Sequence, residues 1–246
     1  MKRYLPLLFF LSGTLLLIGT LYFFVLRKPA TEETKEEEGL TEVSLIDRPI
    51  ASLTPTQDGH WLKLRIEKLL SAADSLDYEL LYTLPDGRTQ GVPGTIDLKG
   101  ESEIERDLLL GSESSGKFRY DEGVETGTLT LRFRNDKGKL LARFSTKFHL
   151  QFATKDLSSV EGKFSYMLDK LPAKTFFVTM ETFGVSTNAP GTVTGGPYGI
   201  FSSGSSAFPG TAKLSGGALY TLEGASWTKL TEGEASDIGV FITTSE

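Results

Sequence analysis

The chain has 246 residues, a net charge of −6, 39% hydrophobic content and no cysteine. Those totals exclude disulfides, thiolate metal sites, a thiol nucleophile and a cysteine-linked lipid anchor. The acidic balance argues against nucleic acid as a partner, because release of phosphate counterions needs clustered Lys and Arg.

Leu5 to Leu26 carries no charge. At about 1.5 Å per residue the segment reaches about 33 Å, enough for a bilayer core of about 30 Å. Pro6 falls in its first turn, and Tyr4 and Tyr22 stand near its ends, where amphipathic rings favour the interface. The segment is therefore expected to be a transmembrane helix that uses the lipid bilayer as its first partner. Residues 1–4 form a cytoplasmic stub, with the N-terminus inside and the bulk of the chain outside the cell membrane. The run is longer than the apolar part of a cleaved leader, and Lys28-Pro29-Ala30 suits a peptidase poorly, so a retained signal-anchor is expected. Ser12, Gly13, Gly19 and Thr20 place small residues one heptad apart, a spacing that permits close helix approach.

Residues 27–42 form an acidic linker, in which TEETKEEEGLT cannot bury enough apolar area to offset ordering entropy. From 43 to 152 short alternating runs are separated by turn residues. Leu62, Leu64 and Ile66 alternate with Lys63, Arg65 and Glu67; Tyr78 to Leu84 runs into the turn Pro85-Asp86-Gly87; further runs follow at Val92, Ile96 to Leu98, Ile104 to Leu110 and Lys117 to Tyr120. A hairpin is expected over Thr128 to Leu150, turning at Asn135-Asp136-Lys137-Gly138. Pairing Arg134 with Lys139 sets Phe133 opposite Leu140, Leu131 opposite Ala142 and Leu129 opposite Phe144, so the apolar sets share one face.

The same register gathers Arg132, Arg134, Lys139, Arg143, Lys147 and His149 on the outer face. This basic stripe is the candidate docking surface for an acidic partner; the plainer reading is a solvated face balanced by carboxylates. Residues 158–246 are expected to form a second β-rich unit. In it, Lys163 to Leu168 alternates and Thr175 to Phe183 is apolar on both faces, as in a buried strand. Gly184 to Gly217 reads as wide loops with short strands, and runs at Leu219 to Leu222, Trp227 to Leu230 and Ile238 to Ile242 close the chain.

Few residues offer chemistry. His60 and His149 lack the surroundings of a hydrolytic triad, and two histidines are too few for a His-based zinc site. Asp121, Glu122 and Glu125 sit in one loop and are the candidate calcium ligands, although the spacing is not that of an EF-hand. Glu101, Glu103 and Glu105 share a strand face and read as a solvated side. Trp61, Trp227, Tyr198, Tyr220 and Phe201 are the rings from which a flat binding platform would be built, or else core. The glycines of Gly195-Gly196-Pro197-Tyr198-Gly199 are not followed by Lys-Ser/Thr, so they do not form a phosphate cradle, and no cofactor is expected.

In strand rhythm Glu42 to Leu150 resembles the immunoglobulin and fibronectin type sandwiches, without the Cys…Trp…Cys signature. The single span together with LLLGSESSGKFRYDEG (Leu108 to Gly123) and GPYGIFSSG (Gly196 to Gly204) resembles membrane-anchored β-proteins of bacteria, a resemblance that implies no activity and no site residues. The expected fold class is thus all-β behind a transmembrane helix and an acidic linker. The expected function is that of a non-enzymatic protein binding another envelope protein or a surface polymer. Its rivals are a membrane-bound hydrolase of envelope glycans working through carboxylates, and a single-span signalling regulator.

Overall fold

The alternation of apolar and polar residues is realised as antiparallel β-structure almost throughout. The computed structural model describes Leu40 and residues 42–245. The expected stub, the helix over Leu5 to Leu26 and nearly all of the acidic linker lie outside the described residues, among which no helix is long and apolar enough to cross a membrane. Among the described residues, a short 3-10 turn at Leu45–Asp47 is followed by eighteen strands. These are β1 (Ile50–Pro55), β2 (Trp61–Glu67), β3 (Ser75–Thr83), β4 (Thr89–Asp97), β5 (Glu103–Leu109), β6 (Gly111–Ser114), β7 (Lys117–Tyr120), β8 (Thr126–Arg134) and β9 (Leu140–Phe152). They continue as β10 (Asp156–Ser158), β11 (Phe164–Leu168), β12 (Phe176–Glu181), β13 (Thr192–Ser202), β14 (Gly210–Leu214), β15 (Ala218–Glu223), β16 (Ser226–Lys229), β17 (Glu234–Ala235) and β18 (Val240–Ser245).

Nine of them make one sheet, in the order β16-β15-β18-β13-β12-β9-β8-β3-β4. A three-stranded sheet, β1-β2-β5, and a four-stranded sheet, β10-β11-β14-β17, supply the other layers, and β6 and β7 form a separate hairpin. Two apolar cores result. The first joins Leu53, Leu64 and Ile104 of the small sheet to Leu80, Leu131, Phe148, Val178 and Met180 of the large one. The second joins Phe164, Tyr166 and Ala212 to Phe177, Tyr198, Ile200 and Phe241.

Strand β12 explains the arrangement. Val178 and Met180 belong to the first core and Phe177 to the second, and because side chains alternate along a strand the two cores lie on opposite faces of the large sheet. The apolar character of both faces of this strand reflects burial on each side. The stretches 43–152 and 158–246 therefore share a sheet, joined by the pairing of β9 with β12 from Phe152↔Phe176 to Phe148↔Met180. Together they lie within one unit, Thr41–Glu246.

Among the described residues one buried polar group breaks the pattern. The Thr179 side chain is fully buried on the face shared with Phe177, and its Oγ1 has no hydrogen-bond partner. An unpaired buried hydroxyl costs about 1–3 kcal/mol, and valine keeps nearly the same shape without it. Thr179→Val is accordingly expected to raise the unfolding free energy by about 1–2 kcal/mol in a urea titration. A decrease would mean that the hydroxyl is satisfied in solution.

The hairpin β8–β9 forms with its apolar face inward, but its register differs from the sequence expectation. Phe133 pairs with Ala142 and Leu131 with Phe144, two residues away from the expected partners. The turn is longer: Arg134 pairs with Leu140, and Asn135 Oδ1 accepts hydrogen bonds from the Lys137 and Lys139 amides, each at 3.0 Å. That five-residue connection alone would have flipped the faces. A bulge that leaves Leu141 unpaired restores them.

Where the chain enters, Lys68 grips it. The Lys68 ammonium donates to the Ile46 carbonyl and, at 3.1 Å, to that of Val185. A bridge between Ile50 and Phe183 and a hydrogen bond from the Ala51 amide to the Thr182 carbonyl (3.0 Å) fasten β1 beside the end of β12.

Candidate functional site

The end of the first core opens into a cleft of about 530 Å³. The turn before β2 forms one wall. There Asp58 accepts hydrogen bonds from the Thr56 hydroxyl (2.5 Å) and the His60 amide (3.1 Å), and the Thr56 hydroxyl bond, with the amide next, holds the Asp58 carboxyl below its ordinary range. Gly59 adopts φ +72°, and its missing side chain makes room for the Phe176 ring. The loop between β7 and β8 forms the second wall with Asp121, Glu122 and Glu125, and the third comes from His149 to Phe152 and Thr154.

The topology dictates this meeting. β5 pairs with β2, and just beyond that ladder the Leu110 amide donates to the His60 carbonyl at 2.9 Å. The hairpin β6–β7 begins there and returns to the same place, where the Asp121 amide donates to the Leu110 carbonyl (2.9 Å). Burial pushes up the Tyr82 phenol, which donates to Asp121 Oδ2 at 2.9 Å. A hydroxyl of that kind is a firm donor, so it fixes this carboxylate at the cleft wall.

Aromatic rings continue from the cleft along the hairpin. His60 stacks on Tyr120 with centroids 4.0 Å apart and planes 4° from parallel; Phe118 follows Tyr120 at 6.2 Å and 7°, and Trp61 meets Phe118 edge-on at 5.6 Å. Phe118 and Tyr120 remain 45% and 39% exposed. On the third wall Phe152, 51% exposed, lies against Phe176 at 4.3 Å.

The three carboxylates of the candidate calcium loop all reach the cleft. However, among the described residues no three His, Asp or Glu side chains converge to hold a metal ion, and Asp121 is engaged by Tyr82. Of the basic stripe, Arg132, Arg134, Arg143 and Lys147 lie on β8 and β9, whereas Lys139 falls in the turn before β9. Strand β3 interleaves acids among them: Arg134 Nε lies 2.9 Å from Asp77 and Arg132 lies 3.7 Å from Glu79, and both arginine side chains are largely covered. The outer face of the sheet is thus of mixed charge. Glu103 and Glu105 are exposed on β5 and contact Arg65 (2.7 Å) and Lys63 (3.9 Å) respectively, while Glu101 precedes the strand.

The candidate platform does not assemble from the five rings named above. Tyr198 is buried against Phe164, Phe201 packs on the first core, and the Trp227 indole donates to the Thr187 carbonyl at 3.4 Å. Among the described residues no ring contact links the five; Trp61 instead joins Phe118, Tyr120 and His60. Sequence alone did not bring together Asp58, His60 and the 121–125 loop, because the link is made by non-local strand pairing. A visible signal was the aromatic alternation at Phe118 and Tyr120 on a short, otherwise polar strand. Comparison with protein families, with curated proteins and with solved structures gave no match.

Proposed function

We propose that the chain is a membrane-tethered, extracytoplasmic, non-enzymatic protein that holds another component of the cell envelope in this cleft. Leu5 to Leu26 would span the bilayer with the N-terminus inside, and 27–42 would space the β-structure from the surface, as in the bacterial anchored sandwiches the sequence resembles. The observation that carries the reading is the cleft itself. Carboxylates from two separate turns and the exposed Phe152 ring of a third element line one concave place, the usual form of a ligand site.

Hydrolysis of an envelope glycan is the second reading, favoured by the presence of four carboxylates, Asp58, Asp121, Glu122 and Glu125, in one cleft. It needs a carboxyl with a raised pKa as general acid. Asp58 is shifted the opposite way, and Glu181, which burial pushes up, is not among the cleft residues.

The test uses the tagged full chain, solubilised in a nonionic detergent, to capture components of an envelope extract. Changing Glu122 and Glu125 to Lys is expected to reduce capture at least about tenfold, a loss near 1.4 kcal/mol, whereas Arg143→Glu with Lys147→Glu leaves it unchanged. Capture lost with the second pair and kept with the first would move the site to the sheet face. Release of cleaved glycan would replace binding by hydrolysis.

A further inference from the structure

We infer that Val43 to Arg48 forms a strap that a pull from the N-terminal side releases ahead of the β-structure, with Lys68 as its catch. Three observations carry it.

The strap brings little apolar surface to the fold. Residues 42–48 include no buried residue, and Leu45 and Ile46 line one side of a cavity of about 600 Å³ whose other side holds Val185 and Ala189. Side chains that border a cavity give up few contacts when they leave, so opening here costs far less than unfolding a core strand.

The hydrogen bonds of the strap are nearly all its own. The Asp47 and Arg48 amides donate to the Ser44 carbonyl at 2.9 and 3.1 Å, the Ser44 hydroxyl donates to Asp47 Oδ2 (2.5 Å), and Arg48 Nε donates to the Val43 carbonyl (2.9 Å). Bonds inside a segment travel with it and do not resist its departure. Among the described residues, the hydrogen bonds that tie the segment to the β-structure come from Lys68, whose ammonium joins the Ile46 carbonyl to that of Val185. The Arg48 guanidinium adds attraction to Glu181 on β12. Lys68 reaches its two acceptors from φ +55°, a left-handed backbone that a residue with a side chain keeps only where its surroundings hold it.

A sharp boundary follows Arg48. Pro49 is buried, Ile50 bridges to Phe183, the Ala51 amide donates to the Thr182 carbonyl at 3.0 Å, and β1 is paired with β2 along its whole length. Load entering from the N-terminal side therefore meets a weakly held segment first and a zipped strand second. Release of the strap lengthens the connection by up to about 20 Å at the reach of an extended chain, and it removes one wall of the cavity beside Val185.

The chain has no cysteine, so Val185→Cys supplies a single thiol at a position only 3% exposed. Its reaction with a maleimide, in the full chain held in nonionic detergent, reads the opening of the strap. Lys68→Met is expected to speed that reaction at least about tenfold while hydrogen exchange at the Ala51 amide keeps its rate. Lys68→Gly, which suits the left-handed backbone, is expected to do the same, and this separates loss of the catch from backbone strain. In single-molecule pulling through handles at the two termini, a short extension should precede the main unfolding event, at a force that Lys68→Met lowers while the main event is unmoved. Thiol labelling and Ala51 exchange accelerating together would overturn the strap as a separate unit. Unchanged labelling in both Lys68 variants would overturn Lys68 as its catch, and a pulling trace without the short extension would overturn release under load.

Discussion

Replacing Phe177 with alanine is expected to destabilise the protein by about 3–5 kcal/mol, the range for truncating a fully buried phenylalanine. Phe177 is completely buried and meets Phe208 edge-on at 5.0 Å. Its backbone is held on both sides, opposite Gln151 of β9 and Ser202 of β13, so the strand cannot move inward to fill the space. The cavity would persist, which places the cost toward the upper end of the range. The same strand carries Val178 and Met180 into the other core. Loss at Phe177 is therefore expected to be felt across the whole β-structure as one transition. Trp61 and Trp227 report the two regions, and in urea titrations of Trp61→Phe and Trp227→Phe backgrounds the midpoints should coincide with and without the Phe177 change. Separate midpoints would show that 43–152 and 158–246 melt independently.

Gly127→Ala is expected to cost about 2–3 kcal/mol, although its backbone is not in the left-handed region. Gly127 sits in β8 between Tyr82 of β3 and Phe148 of β9. A Cβ there would fall within contact distance of the Leu81 carbonyl oxygen and of the Phe148 ring. The carbonyl belongs to the paired strand, and Phe148 is fully buried, so neither can yield cheaply. Without that clash alanine would gain about 0.4–1 kcal/mol by restricting the unfolded chain, so the sign of the measured change is diagnostic. Trimming the ring should restore part of the loss: Gly127→Ala combined with Phe148→Leu is expected to fall short of the sum of the two single effects, read as a coupling energy in a double-mutant cycle. Strict additivity would place the clash elsewhere.

What the sequence revealed depended on the range of the cause. Alternation is local, so the strands at Leu62 to Ile66, Tyr78 to Thr83 and Phe164 to Leu168 could be read from it, and Phe176 to Glu181 from an equally local run that is apolar on both faces. The inward face of the hairpin was legible for the same reason. Its register was not, because the longer Asn135 turn and the bulge at Leu141 each shift the pairing by one and together leave the pattern of faces unchanged. β13 was hidden more deeply. Gly195, Gly196 and Pro197 break its propensity, yet Thr192–Ser202 runs through the large sheet between β12 and β18, with irregular pairing around those glycines. The long central sheet was equally invisible, since the pairing of β9 with β12 is a tertiary choice. At the cleft, Asp121, Glu122 and Glu125 stood out as an acidic loop. Their neighbours Asp58 and His60 come from more than sixty residues earlier in the chain, brought close by the β2–β5 ladder.

The double allegiance of β12 also governs the order in which the chain can close during synthesis. When the ribosome has released residues only as far as Phe152, β9 has an open edge and the first core lacks Val178, Met180 and Phe183. That nascent half must wait with a sticky border until Phe176–Glu181 emerges, and the strand that seals it arrives already facing the material of the second half. Any route on which the first half closes ahead of the second therefore leaves that border exposed until β12 arrives.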